Sequence, residues 1–209
     1  MIARFQSGVD DVQPPARNLS PEQLTHLQSW IGNHEQLRNE LALSPVRALS
    51  ATLDRDDPEP ARGDTLPPLW HWLYFLPHHR QSEIGPDWHA KRGGFLPPVP
   101  LPRRMWAGGR IKFFAPLLLG FPAERMSFCE SIKTSEGRTG PLAFVTLRHE
   151  IIQKGVKCVT EWQELVYSQD LKTTSAKPTL TMASTDEDES VQCNFDTTLL
   201  FRYSALTFN

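Results

Sequence analysis

Residues 142–168 read LAFVTLRHEIIQKGVKCVTEWQELVYS, and this stretch decides the fold. Ala143, Val145, Leu147 and Ile151 fall on one face, with Thr146, Arg148 and Glu150 on the other. That period of two belongs to a half-buried strand. Lys154-Gly155 breaks the run and predicts a tight antiparallel hairpin. Beyond it, Val156, Cys158, Thr160 and Trp162 alternate with Lys157, Glu161 and Gln163. Upstream, Arg110 to Phe113 alternates, and Met126, Phe128 and Ile132 lie opposite Arg125, Ser127 and Lys133. Gly137 to Pro141 predicts a second hairpin turn. Residues 105–168 therefore predict four long antiparallel strands.

Helices precede this meander. Ser20-Pro21-Glu22-Gln23 carries a capping residue, a first-turn proline and a capping-box glutamine. Leu24, Leu27 and Ile31 form its apolar stripe, and Gly32-Asn33 stops it. Ser44-Pro45 opens a second helix with Val46, Leu49 and Leu53 on one face. The run Asp54 to Pro60 ends that helix, because its prolines and acids cannot continue it. Helices followed by a strand meander define an α+β domain.

Between lie residues 64–104, rich in aromatics, Gly and Pro. The chain has 18 prolines in 209 residues, against a background of roughly 5%. A stretch so long without regular structure is functional or wraps a partner surface. Residues 1–19 read as an irregular lead-in and 169–192 as a flexible linker. Thr197, Leu199, Phe201, Tyr203 and Ala205 alternate with Thr198, Leu200, Arg202 and Ser204, which predicts a further strand within 193–209.

Composition narrows the function. With 22 basic and 24 acidic residues, the formal charge is −2, so broad phosphate-backbone binding to nucleic acid is not expected. The longest apolar run, Phe113 to Phe121, is far short of the roughly 20 residues that cross a bilayer. The N-terminus has no apolar signal core and carries Asp10 and Asp11. A cytoplasmic setting is expected, with the mitochondrial matrix as its eukaryotic alternative. Cys129, Cys158 and Cys193 lack zinc-ribbon spacing and are expected to be reduced thiols on strands. There is no GxSxG, phosphate-binding Gly loop or HExxH motif. His71, between Trp70 and Trp72, is either a packed histidine or a proton-transfer group. Glu83, Asp87 and His89 offer a carboxylate–imidazole pair or surface pairing. Arg103-Arg104 followed by Gly108-Gly109 offers phosphate-seeking guanidinium groups and close backbone approach to a ligand, or a bulged strand edge.

Longer strings are more specific: ATLD at 51–54, GDTLPPLWHWLYFLP at 63–77, GGFLPPVPLPRRMWAGG at 93–109, and the segments 137–145 and 161–167. Together they resemble the mesaconyl-CoA and itaconyl-CoA hydratase group of the MaoC-like, hydratase-2 type 3-hydroxyacyl-thioester dehydratases. The likeness runs from about residue 20 to 209. Asp87-Trp88-His89-Ala90 departs from it, with Trp88 and Ala90 where the group has Gly and Pro. The resemblance implies a hotdog fold, an antiparallel sheet wrapped around a helix. It implies the N-terminal half of a double hotdog, residues 20–168, with residues 193–209 starting a second. It implies reversible hydration of a 2-enoyl thioester, with the catalytic His and Asp expected after Asn209 and no catalytic residue assigned before it. The alternative is a non-catalytic thioester-binding or assembly subunit; a hotdog thioesterase lacks a carboxylate at a central helix start. The implied substrate-binding residues are Trp70, His71, Trp72, Phe95, Arg103, Arg104, Trp106, Gly108, Gly109 and Asn209. No cofactor or metal is implied. The implied partners are an acyl-CoA or acyl-carrier thioester and a second copy or partner hotdog subunit.

Overall fold

A computed structural model describes residues 19–137, 140–170, 182, 186, 188, 189 and 194–208. The lead-in before residue 19, most of the 169–192 segment, Cys193 and Asn209 lie outside the described residues. The elements are α1 (Pro21–Gln28), β1 (His34–Glu40), α2 (Leu43–Thr52), β2 (Arg103–Phe113), β3 (Pro122–Gly137), β4 (Gly140–Gln153), β5 (Val156–Ser168) and α3 (Thr197–Thr207). The strands form one antiparallel sheet in the order β1-β3-β4-β5-β2. The capping box of α1 is formed: Gln23 N–H donates to Ser20 Oγ, and Ser20 N–H donates to Gln23 Oε1. The β4–β5 turn has Lys154 and Gly155 both at positive φ, as a tight hairpin of this twist requires. Strand β1 was not foreseen. Its sequence, HEQLRNE, is too polar to signal a strand, and pairing with β3 holds it at the sheet edge.

The inner face of the sheet carries two apolar clusters. Helix α2 covers one with Val46 and Leu49, against Leu119, Ile151 and Val159. The second lies under no long helix. Leu27 of α1 and Val99 and Leu101 of the Pro-rich segment cover it, against Cys129, Val145, Leu147 and Tyr167. Arg92 holds that segment in place. Its guanidinium donates to the carbonyls of Val99, Leu101 and Pro102 and lies 4.9 Å over the Tyr167 ring. The stretch 64–104 is thus a core-covering strap with short 3₁₀ turns at Trp70–Leu73 and Gln81–Glu83.

Two face assignments need correction. Irregularities at Cys129/Ser131 in β3 and at Ile151/Ile152 opposite β5 reverse which side chains point inward. A bulge adds one residue, and a one-residue slip flips every following side chain. Arg125, Ser127 and Cys129 therefore share the inner side of β3. In β5, Glu161 is opposite His149, and Leu165 and Tyr167 continue that inner face. The aromatics that alternation placed inside are outside and covered there by cations. Arg110 lies over Trp162 at 4.9 Å, and Arg148 lies over Phe128 at 4.4 Å.

The strand expected within 193–209 is a helix. The Asp196 side chain accepts from Leu199 N–H at 2.7 Å and caps α3. Tyr203 and Leu206 pack on the cluster beneath α2, at a helical spacing of three. Alternating β-prone residues are outweighed here by a cap and a two-point anchor, a case of tertiary context overriding propensity. Cys129 and Cys158 are buried free thiols on strands, as read from the sequence.

Candidate functional site

A row of polar side chains crosses the inner face between the two apolar clusters. Register places Ser127 of β3 opposite His149 of β4, and His149 opposite Glu161 of β5. His149 Nδ1 and Ser127 Oγ are 2.8 Å apart. Glu161 is also bound from above by the 3₁₀ turn at Trp70–Leu73. His71 Nε2 lies 3.0 Å from Glu161 Oε2, and Trp72 Nε1 donates to both carboxylate oxygens at 3.1 Å. Arg125 lies beside this row, 3.6 Å from Glu35 and 5.6 Å from the Phe75 ring centroid.

Charge and burial oppose each other here. Burial raises the pKa of the Glu161 carboxyl, but the hydrogen bonds from His71 and Trp72 and the charges of His71 and His149 outweigh it, so the group stays below the usual carboxylate range. His149 is pushed down to about 4, mainly by burial and then by the positive charge of Arg125. At neutral pH the row therefore holds an ionised Glu161 beside an uncharged His149. An ionised carboxylate accepts the Nε2–H of His71 and fixes the orientation of that ring.

Next to the row lies an apolar cleft of about 300 Å³. The segment Thr65–Pro68 forms one wall, and Phe113 to Leu117, at the end of β2, form the other. His71 is the histidine on its lining, and its side chain is 4% exposed. A second groove of about 200 Å³ runs between Leu49, Trp70 and Tyr203, where α2, the 3₁₀ turn and α3 meet.

The residues singled out from sequence fall in separate places. Trp70, His71 and Trp72 are gathered around the row and the two clefts. Phe95 packs on the second apolar cluster, and the main chain at Gly94 and Phe95 is held by Trp30 and Asn33. Arg103 and Arg104 begin β2 opposite Ser168 and Tyr167, whereas the cleft lies at its far end by Phe113. At the rise of an extended chain those ends are roughly 30 Å apart. The Arg104 side chain is 9% exposed, and its Nε faces Asp87 at 3.7 Å. Asp87 is thus engaged by arginines rather than by the His89 ring, and Glu83 faces His79 at 3.8 Å. Trp106 is 66% exposed on the edge strand, beside a bulge at Trp106/Gly108. A Cβ on Gly109 would lie 2.9 Å from the carbonyl oxygen of Trp162, so the close backbone approach there is to a neighbouring strand.

Sequence reading missed Glu161, His149, Ser127 and Arg125. His149 had a signal, since it stands on the inner parity of β4 between Leu147 and Ile151. The others were hidden by the bulges. Among the described residues, no group of three or more His, Cys, Asp or Glu side chains is placed to hold a metal ion. No described helix is long and apolar enough to cross a membrane.

An antiparallel sheet closed over α2 and a proline-rich strap, with an apolar cleft at one end, defines a hotdog-fold protein. The chain belongs to the hydroxyacyl-thioester dehydratase type 2 family, whose model matches residues 69–209. It is 42% identical over 181 residues to mesaconyl-C(4)-CoA hydratase of Chloroflexus aurantiacus. That alignment covers 87% of this chain, which spans 65% of the relative's length. A solved MaoC-like dehydratase superposes with a TM-score of 0.56 at 11% identity, covering 88% of this chain and 67% of the other. The unliganded R-hydratase PhaJ1 from Pseudomonas aeruginosa gives a TM-score of 0.40 at 11% identity, covering 73% and 92%.

Proposed function

We propose that this chain forms the acyl-enclosing part of a hydro-lyase that reversibly hydrates a 2-enoyl thioester carried by CoA or an acyl-carrier protein. The observation that carries this reading is the 42% identity over 181 residues to a CoA-thioester hydratase. The apolar cleft beside His71 supports it, since a short acyl group needs an apolar, partly enclosed slot with few polar atoms.

In this reaction water oxygen adds to C3 and a proton is delivered to C2. A paired imidazole and carboxylate take the proton from water and return one to carbon. Donors aimed at the thioester carbonyl oxygen stabilise the charge it gains. Among the described residues the histidine–carboxylate contacts are His71–Glu161 and the surface pair His79–Glu83. We assign the catalytic His and Asp to polypeptide outside these 209 residues. A second copy or a partner hotdog subunit is the proposed assembly. The edge strand β2 supports this, because it presents Trp106 and Phe113 to solvent and an open edge invites pairing.

The test is hydration of crotonyl-CoA, followed by loss of the enoyl-thioester ultraviolet band, alongside calorimetric binding. The 209-residue chain is expected to bind the thioester without turning it over. Turnover by this chain alone overturns the assignment of the catalytic pair. Failure to bind overturns the thioester reading.

A further inference from the structure

Two buried side-chain atoms without a hydrogen-bond partner among the described residues stand together at the head of β2: Asp87 Oδ2 and the Tyr167 hydroxyl. A buried polar atom without a partner is uncommon, and it calls for a ligand or a role. Arg92 Nη2 lies 3.6 Å and Arg104 Nε 3.7 Å from that Asp87 oxygen, both beyond hydrogen-bond length. Arg92 stacks over the Tyr167 ring, and Arg104 is the register partner of Tyr167 across β2 and β5. Burial raises the pKa of the Tyr167 hydroxyl, and the charges of Arg104 and Arg92 work against it. Tyr167 is fully buried, and the Arg92 and Arg104 side chains are 20% and 9% exposed. Two guanidinium groups and a phenol thus share one carboxylate, which accepts a hydrogen bond from none of them. The cluster is left with a net positive charge and too few acceptors.

Asp87 comes from a surface turn rather than from the sheet. The turn is closed by its own bonds: Gly85 N–H donates to the His89 carbonyl, Trp88 N–H to the Gly85 carbonyl and Lys91 N–H to the Glu83 carbonyl. Trp88 beside it is 87% exposed. The other Asp87 oxygen accepts the His89 N–H of the same turn, at 3.5 Å. The Asp87 carboxylate therefore enters the cluster from outside and can leave it without unfolding the sheet. Arg92 gives three N–H bonds to the carbonyls of Val99, Leu101 and Pro102, which fixes its plane and leaves a second Nη2 N–H for the site.

We infer that Arg92, Arg104 and Tyr167 form a binding site for a phosphate group, and that Asp87 is an internal stand-in which an incoming phosphate displaces. Planar guanidinium forks bond two phosphate oxygens at once, and a hydroxyl serves a third. One carboxylate oxygen held 3.6 Å away satisfies neither fork. The site is separate from the cleft by His71 and does not depend on the thioester reading. Free phosphate and the phosphate monoester of CoA share the chemistry it recognises.

Asp87→Ala tests this, because it leaves two arginines facing each other without their carboxylate. The variant is expected to melt lower than the native chain in chloride, and phosphate at matched ionic strength is expected to restore it. Calorimetry is expected to show inorganic phosphate binding about tenfold tighter to Asp87→Ala than to the native chain, since a like charge has left the site. Adding Arg104→Gln to Asp87→Ala is expected to abolish both the rescue and the gain. Rescue by chloride and phosphate alike, equal phosphate affinity in Asp87→Ala and the native chain, or a rescue that survives Arg104→Gln overturns the inference. Should Asp87→Ala fail to fold in either salt, Asp87→Asn, which keeps the volume and loses the charge, carries the same comparison. CoA and 3′-dephospho-CoA separate the two sources. Tighter binding of CoA by Asp87→Ala, lost with Arg104→Gln, assigns the site to the CoA phosphate, and equal binding of the two assigns it to free phosphate.

Discussion

His71 and Glu161 stand 90 residues apart in the chain and 3.0 Å apart in space. Glu161 is presented by the sheet and His71 by a 3₁₀ turn in the strap, so their contact pins the strap across the inner face. The turn also gives Trp72 its hydrogen bonds to the same carboxylate. Glu161 therefore closes the fold and orients the histidine at the cleft with one set of interactions. Removing the carboxylate leaves two donors without their acceptor, the buried His71 Nε2 and the more exposed Trp72 Nε1. Glu161→Ala is expected to lower the unfolding free energy by about 3 kcal/mol, read as a shift in urea midpoint. Glu161→Gln keeps an acceptor for one of them and is expected to lose less. Equal losses in the two variants would show that the side-chain volume matters rather than its acceptors.

Acid should destabilise this protein in a window set by His149. Unfolded, that group binds a proton near pH 6.5; folded, it does so only near 4. Between those values the unfolded chain binds more protons, so stability rises with pH and is lost as pH falls from about 6.5 to 4. The gap corresponds to roughly 3 kcal/mol. Glu161 adds to the loss at lower pH, since its carboxyl is held below the usual value and its stabilisation disappears as it protonates. Melting temperature at pH 7, 5 and 4 is expected to fall in the native chain and to fall much less in His149→Gln. Equal falls in both would remove His149 as the cause.

Helix α3 makes a prediction that a strand would not. As a strand, Thr197, Leu199, Phe201, Tyr203 and Ala205 share one face. In the helix, Tyr203 packs on the core while Phe201 is 73% exposed. Phe201→Ser is expected to leave stability within about 0.5 kcal/mol, and Tyr203→Ser to lower it by about 2 kcal/mol. Similar losses at both positions in urea unfolding would restore the strand.

The β3–β4–β5 meander, the capping box of α1 and the Lys154-Gly155 turn were legible in the sequence because each has a local signature, whereas β2, expected at the head of the meander, lies beyond β5 at the far edge of the sheet. The polar row was not legible. Its members come from three strands and the strap, and bulges in the sheet reverse the parity on which face assignment depends. Phe128 and Ile132 show how: both are apolar and four residues apart, so alternation puts them on one face, yet Ile132 is sealed in the core while Phe128, before the bulge, lies on the half-exposed side. Outward Phe128 and Trp162 mimic core residues in a sequence, since nothing local announces the arginines that cover them. Strand β1 and helix α3 failed for the same reason, because their conformations are set by what they pack against.

Gly108 and Gly109 separate a structural requirement from a ligand requirement. Both stand on the edge strand just after the bulge, and the sequence offered them as a place for close ligand approach. A Cβ at Gly108 meets nothing within 4 Å, whereas one at Gly109 meets the Trp162 carbonyl oxygen at 2.9 Å. That oxygen belongs to the β5 backbone and cannot swing away. Gly109→Ala is therefore expected to lower the unfolding free energy by about 1–3 kcal/mol through a local shift of β2. Gly108→Ala is expected to leave stability within about 0.5 kcal/mol. Thioester calorimetry on the stable Gly108→Ala protein then gives a clean reading. Affinity at the native level confines the ligand to the cleft by His71, and a loss of affinity extends the binding surface along the outer half of β2.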